Sequence, residues 1–326
     1  MGKYERLQRM SPDALAKNFW RSNERFADLF NAIVYGYPQI EPSSLREMDT
    51  DISALIADRD LLETIRKVRD TVKISSSGIC YQILAVENQQ FIDYAMPFRC
   101  LLYDTLTYYH QVKAAMAKNK KDGAENRDEF LSKFKKADKL TPCRTIVIYY
   151  GSKPWDGAKN LSELMDFSSE RDREAFNEYH CDLICLNEVD ISQYHFMNKD
   201  VRDFFLYIST IYRNGGKRPP EGLRDMDTEV AYTASAITGT LKKYGKIIRE
   251  NIDKGKERID MCEAVEKAFE ETRQEGKDEG LKEGTETLIA NFLRKDNHVS
   301  HAVEMLMVSE ETVREIAKNK GIAIVE

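Results

Sequence analysis

The chain has 326 residues, 42% of them hydrophobic and 32% charged, a composition typical of a soluble globular protein. No apolar run approaches the ~20 residues of a membrane-spanning helix, and the N-terminus lacks the apolar core of a secretory signal, so no membrane partner is expected. The net charge of −6 gives no general attraction to nucleic acid, so DNA binding would need a local basic surface. Six scattered cysteines predict reduced thiols in a cytoplasm.

The first predicted elements are helices. Ser-Pro-Asp at residues 11–13 is a helix-start signal. In residues 24–34 the apolar side chains recur at three- and four-residue spacing, which predicts an amphipathic helix that ends at Gly36. Asp28 lies at or next to the border of its apolar face. The acidic segment 45–65 is expected to be a solvated helix or loop.

Two strands and a tight turn follow. Residues 67–74 show the alternation of a strand, and residues 79–86 form the nearly continuous apolar run of a central strand covered on both faces. Ser75 to Gly78 read as the turn of a β-hairpin. The open end of this hairpin carries Asp70 on one strand and Glu87 to Gln89 after the other.

The rest of the chain alternates helices with strands and then becomes helical. A helix is predicted at 94–117, a polar insertion at 118–142, and strands at 144–150 and 182–189, so an α/β sheet domain ends near residue 192. Helices follow from residue 200. Glycines spaced by four at 276, 280 and 284 interrupt a charged segment, which predicts a solvated helix. Two short helices at the end are either helix-turn-helix-like or a structural cap.

The paired acids at the hairpin end are the strongest chemical signal. Carboxylates are the ligands that Mg²⁺ prefers, and Glu87 at the exit of a buried strand needs a partner. The residues alone leave open a metal site, a structural ion pair or a capped strand end, and they leave Asp58 and Asp60 as rival first acids. Cys181 and Cys185 beside His180 lack a second ligand pair, so core cysteines are expected there.

Four segments carry a resemblance to a known family. They are RFADLFN (25–31), VRDTVK (68–73), AVENQ (85–89) and IDYAMPFRCLLYDTLTYYHQ (92–111). Together they resemble the recombination-promoting nuclease (transposase-like) family of the PD-(D/E)XK nuclease superfamily. The resemblance covers roughly residues 18–240, and the charged, glycine-punctuated tail is also similar.

The resemblance implies a restriction-endonuclease-like α/β fold, in which a mixed central sheet is flanked by helices and followed by an all-helical C-terminal region. The expected domains are a PD-(D/E)XK-like nuclease core at residues 1–195, a helical extension packing on it at 196–250, and a charged helical tail with a helix-turn-helix-like end at 251–326.

The same resemblance implies a metal site for Mg²⁺ or Mn²⁺. Asp70 and Glu87 would hold the ion, and Asn88 would add its backbone carbonyl. Gln89 replaces the usual superfamily lysine; it can orient the attacking water but brings no charge.

Further residues are expected to assist this site. Arg99 and Tyr103 share a helix face and would contact the scissile phosphate or support the carboxylates, with an internal Arg99–Asp104 pair as the alternative. Asp28, or Glu24 as second choice, would assist the metal. Lys73 is a candidate substitute cation; the alternative is a solvated strand-end lysine.

The expected function is therefore a metal-dependent DNA endonuclease that hydrolyses phosphodiester bonds and promotes DNA recombination, with a homodimer if both strands are cut. The alternative is a catalytically weak or inactive nuclease-fold protein that binds DNA or another protein. The missing motif lysine and the negative net charge favour that alternative.

Overall fold

The computed structural model describes residues 2–47, 69–86, 92–215 and 222–325, with the backbone alone at residues 3, 69, 70, 82–86 and 275. The described chain divides into two compact units, Met1–Ala264 and Val265–Glu326. None of the described helices is both long enough and apolar enough to cross a bilayer.

The first unit contains a five-stranded mixed sheet. Its strands are β1 (Arg46–Glu47), β2 (Arg69–Ile74), β3 (Cys80–Val86), β4 (Cys143–Tyr149) and β5 (Asp182–Cys185). They lie in the order β1-β2-β3-β4-β5, with antiparallel pairing from β1 to β3 and parallel pairing from β3 to β5. The predicted α/β class with a mixed central sheet is confirmed.

Helices precede, interrupt and follow this sheet. Those up to β5 are α1 (Lys3–Gln8), α2 (Pro12–Trp20), α3 (Asn23–Phe30), α4 (Met96–Asp122), α5 (Arg127–Ser132) and α6 (Glu170–Glu174). Those after β5 are α7 (Lys199–Arg213), α8 (Thr228–Ile237), α9 (Leu241–Asp253), α10 (Met261–Lys295), α11 (Val299–Leu306) and α12 (Glu310–Asn319). A two-stranded ribbon joins β6 (Met226–Asp227) to β7 (Arg258–Ile259). A largely helical C-terminal region is confirmed, but it is not all-helical as predicted, because the ribbon lies within it.

Local signals account for several of these boundaries. Ser11 caps α2 by accepting a hydrogen bond from the backbone N–H of Ala14 (3.1 Å), and Pro12 occupies the first turn, as predicted. Helix α3 ends at Phe30 and continues as a π-turn, Asn31–Tyr35. Gly36 then takes a left-handed conformation (φ +72°), which glycine adopts without a steric penalty.

The predicted hairpin is confirmed. β2 pairs with β3, and the N–H of Gly78 donates to the carbonyl of Ser75 (2.9 Å) within the connecting turn. Helix α4 then leads from β3 to the parallel strand β4, as such a crossover requires. Its inner face packs in an apolar cluster of Met96, Cys100, Tyr103, Val147, Tyr149, Trp155 and Cys185.

The segment predicted as a polar insertion at 118–142 contains regular structure. Helix α4 continues to Asp122, and α5 follows. The Asn119 amide donates to the Asp138 carboxylate (2.6 Å) and to the backbone carbonyl of Lys133 (3.3 Å). These hydrogen bonds hold the segment in place. Because they join polar groups, hydrophobic periodicity in the sequence could not predict them.

An aromatic core joins the N-terminal helices to α7. Phe19 stacks on Phe204 with ring centroids 4.2 Å apart. The buried indole N–H of Trp20 donates to the hydroxyl of Tyr150 (2.7 Å), directly after β4. α2, α7 and the end of β4 are thereby fixed to one another.

The second unit has a core of its own. Helix α10 ends beside α11 and α12, and their buried residues are Ile289, Ala290, Leu293, Val299, Ala302, Val313, Ile316 and Ala317. Met307, in a left-handed conformation (φ +53°), and the cap Ser309 form the tight turn between α11 and α12. The three glycines at 276, 280 and 284 are exposed on α10, with no atom within 4 Å of a Cβ position.

Candidate functional site

Asp70 lies at a β-bulge in the central hairpin. Arg69 pairs with Leu84 and Thr71 pairs with Ile83, so Asp70 is the extra residue of β2 between two adjacent partners on β3. A bulge of this kind interrupts the ladder and redirects a side chain, and bulges are common beside active sites. The sequence pattern predicted the strand but gave no sign of the bulge.

The second half of the expected site lies outside the described residues. β3 is described as far as Val86, which pairs in parallel register with Tyr149. Glu87, Asn88 and Gln89 follow directly and are not among the described residues. Asp70 is described by its backbone, so its assignment as a metal ligand together with Glu87 stays a prediction.

Lys73, on the same strand, is not the solvated lysine that the sequence suggested. Its side chain is buried, and Nζ donates to the carbonyl oxygen of Arg21 (2.6 Å) and to Oδ1 of Asn23 (2.6 Å). The ammonium also lies over the ring of Phe26, 4.9 Å from its centroid. Lys73 therefore joins β2 to the junction of α2 and α3.

Burial lowers the pKa of the Lys73 amine. Desolvation lowers the pKa of Lys73 from 10.5 to about 8, while the nearby carboxylates of Glu47 and Glu24 act in the opposite direction. The electrostatic partner of Lys73 on α3 is thus Glu24. Glu24 itself is exposed, and a hydrogen bond from the Ser22 hydroxyl (2.7 Å) lowers the pKa of its carboxyl.

Asp28 is the more unusual acid of α3. Its side chain is buried, and Oδ1 accepts a hydrogen bond from the backbone N–H of Met197 (2.9 Å), just before α7. Oδ2 is also buried and has no hydrogen-bond partner among the described residues. Desolvation raises the pKa of Asp28, although the nearby backbone N–H groups of Met197 and Asn198 oppose the rise.

Arg99 lies in the first turn of α4, where it forms an ion pair with Asp93. Both side chains are mostly buried. The Nε of Arg99 is buried and has no hydrogen-bond partner within the described part of the chain. Asp93 therefore engages one terminal nitrogen of the guanidinium, and the protein encloses Nε.

Tyr103 lies one turn further along α4 and is 1% exposed. It belongs to the apolar cluster between α4 and the sheet. Because a side chain in that position is closed to a bulky ligand, its burial favours support of the site over direct contact with a phosphate.

Asp104, the next residue, forms a polar centre that the sequence did not indicate. Its Oδ1 accepts from the Thr145 hydroxyl on β4 (2.6 Å), and Oδ2 accepts from the Tyr179 hydroxyl (2.7 Å). Burial, and then the adjacent Asp104 charge, raise the pKa of Tyr179 well above its usual value, so this phenol stays a donor. The contact partners are far apart in sequence, which is why local patterns did not identify them.

The donors of the expected site suit a hard cation. Asp70, Glu87 and the carbonyl of Asn88 would supply oxygen ligands, which Mg²⁺ prefers. Asp28, the acid expected to assist this site, has a buried carboxylate oxygen without a partner among the described residues, but its hydrogen bond is with Met197 and not with Asp70. Such an oxygen is costly to desolvate unless it meets a proton or a cation.

Comparison of the chain with family models, with curated proteins and with solved structures gave no match.

Proposed function

We propose that this protein is a divalent-metal-dependent DNA endonuclease with a restriction-endonuclease-like core. The observation that carries the proposal is the bulge at Asp70, in a hairpin whose second strand runs directly into Glu87. The mixed sheet and the α4 crossover support the same core, because the resemblance implies a mixed sheet flanked by helices.

The proposed site would hold Mg²⁺ or Mn²⁺ through Asp70, Glu87 and the backbone carbonyl of Asn88. When bound, such an ion lowers the pKa of a water ligand and stabilises negative charge on the phosphate. Gln89 would orient the attacking water through its amide. Arg99 would offer a phosphate oxygen the side of its guanidinium that Asp93 does not hold.

Supercoiled-plasmid nicking with Mg²⁺ tests this proposal. Asp70→Ala and Glu87→Ala are each expected to lower the nicking rate at least about tenfold, because each removes a metal ligand. Glu174→Ala, an exposed acid on α6, is the matched control and should nick like the wild type. Equal nicking by all four proteins would refute the assignment.

A substitution at Gln89 tests the role of the missing lysine. If Gln89 only orients the water, Gln89→Lys adds the positive charge of the superfamily motif and should raise the rate, whereas Gln89→Ala should lower it. Unchanged rates in both variants would place Gln89 outside the site.

The ion pair of Arg99 also favours a second function. A guanidinium already neutralised by Asp93 attracts phosphate less strongly, which suits a nuclease-fold protein that binds DNA or a protein without cutting. Calorimetry with millimolar Mg²⁺ and Mn²⁺ distinguishes the two functions. A protein that binds DNA or another protein without cutting would take up no ion at Asp70 and Glu87.

A further inference from the structure

Three metal-ligating side chains converge in the second unit, far in sequence from the proposed nuclease site. The Asp296 carboxylate follows α10, His298 precedes α11, and His301 lies in the first turn of α11. Asp296 Oδ1 is 2.9 Å from His298 Nδ1, and Oδ2 is 2.8 Å from His301 Nδ1. The two imidazole rings are 5.0 Å apart and tilted by 35°.

The backbone that carries these residues is fixed on both sides. The N–H of Asp296 donates to the carbonyl of Phe292 (2.8 Å), which continues α10 to the ligand. The loop pairs with the last residues of the chain: Val325 donates to Asn297 (2.7 Å), and Val299 donates to Val325 (3.0 Å). Val299 and Ala302 are buried in the core of the unit on either side of His301. Because the backbone already holds these three residues in place, little conformational freedom is lost when a metal ion binds.

The donor atoms suit a transition metal better than Mg²⁺. Two imidazole nitrogens and one carboxylate oxygen are ligands for borderline ions such as Zn²⁺, whereas Mg²⁺ prefers oxygen alone.

The geometry needs only a small adjustment to hold an ion. The three donor atoms lie within 4.8 Å of one another. Donors about 2.0–2.1 Å from one zinc ion lie at most about 4.2 Å apart. Both histidines are about half exposed, so their rings can rotate by that amount and solvent can complete the coordination.

We infer that Asp296, His298 and His301 bind one divalent transition-metal ion such as Zn²⁺, which links the end of α10 to the start of α11. The bound ion would replace the two hydrogen bonds between the imidazoles and the carboxylate. This site is independent of the proposed nuclease centre, because its ligands and its preferred metal are different.

Competition of the full-length protein with a chromophoric zinc chelator tests the inference. The wild type is expected to take up one Zn²⁺, and His301→Ala and Asp296→Asn should each weaken binding at least about tenfold. Asp296→Asn keeps an acceptor for the backbone N–H of His298, so it preserves the local fold. His110→Ala, an exposed histidine on α4, should bind like the wild type.

Cobalt substitution distinguishes this site from the six free thiols. Co²⁺ bound here should give ligand-field absorption without a thiolate charge-transfer band, and His298→Ala should abolish it. A thiolate band, or equal zinc affinity in the wild type and His301→Ala, would overturn the inference. The loss of zinc and cobalt binding in His301→Ala and His298→Ala is measured without any nicking assay, so failure of the nuclease proposal would be seen separately.

Discussion

Asp28 accepts a 2.9 Å hydrogen bond from the backbone N–H of Met197, while its second carboxylate oxygen is buried without a partner among the described residues. One oxygen thus has a structural role at the start of α7, and the other bears an uncompensated desolvation penalty. Buried, half-satisfied carboxylates are unusual, and they are often retained for a function.

Asp28→Asn separates these two roles. The amide oxygen can still accept from Met197, and the buried charge is removed. Because burial raises the pKa of Asp28, the folded wild type is penalised increasingly as the pH rises above about 4. We therefore expect Asp28→Asn to be more stable than the wild type in urea unfolding at pH 7, with the difference shrinking towards pH 4.

The same variant reports on catalysis. If Asp28 assists the proposed metal site, Asp28→Asn should reduce Mg²⁺-dependent nicking while its stability rises. Asp28→Ala provides the control for the structural bond, since the Met197 N–H would lose its acceptor and stability should fall by about 1 kcal/mol. Unchanged nicking by Asp28→Asn would assign Asp28 to the fold alone.

Lys73→Met tests the buried amine of β2. The pKa of Lys73 is about 8 in the folded protein against 10.5 when exposed, so between these values the unfolded chain binds more protons. The stability contributed by Lys73 should therefore rise with pH across this window, by at most about 1.4 kcal/mol per pH unit. The measurement is the difference in unfolding free energy between wild type and Lys73→Met at several pH values from 7.5 to 10.5.

Lys120→Met is the matched control for that series. Lys120 is exposed on α4, so its ammonium remains in water in both states. If the difference in unfolding free energy between wild type and Lys73→Met depended on pH as little as that for Lys120→Met, the placement of Lys73 between α2, α3 and the sheet would be contradicted.

Tyr179→Phe tests the polar centre at Asp104. The phenol donates to a charged carboxylate, and hydrogen bonds to charged groups contribute about 1.5–3 kcal/mol. Chemical denaturation should show a loss in this range, and Thr145→Val should show a similar loss. Tyr109→Phe, which removes the hydroxyl of an exposed tyrosine on α4, should have little effect. Equal stabilities of the two Phe variants would exclude the bond.

Two glycine substitutions in the first unit are expected to have opposite effects on the stability of the protein. A Cβ at Gly151 would lie 2.1 Å from the ring of Tyr149, which is fixed in the core against Trp155. Gly151→Ala should therefore lower stability by about 1–3 kcal/mol. Gly245 lies inside α9, and its nearest neighbour would be Leu241 at 3.6 Å, so Gly245→Ala should raise stability by about 0.5–1 kcal/mol. Thermal unfolding measures both, and a neutral Gly151→Ala would show that Tyr149 can move aside.

The sequence predicted those parts of the fold that depend on near neighbours. The β2–β3 hairpin followed from alternation and the turn at Ser75 to Gly78, and the start of α2 followed from Ser11 and Pro12. These signals are local, so one stretch of chain contains both the pattern and its cause.

The environments of individual polar side chains could not be predicted in this way. Lys73 is buried because Arg21 and Asn23 offer acceptors about fifty residues away in sequence. The cluster at Asp296 was missed for a different reason: Asp-x-His-x-x-His is not a common ligand spacing, and its geometry depends on the pairing of Asn297 and Val299 with Val325.

The topology of the sheet also has a consequence for how the chain folds. β3 meets β2 through a turn of a few residues, but it meets β4 only after the whole of α4 has been placed, when Cys80 reaches Cys143. Closing the longer loop loses more chain entropy, so the hairpin should form early and the β3–β4 pairing should limit the folding rate. The bulge at Asp70 lies in the early-forming half, so the backbone around Asp70 would take shape before the sheet is complete.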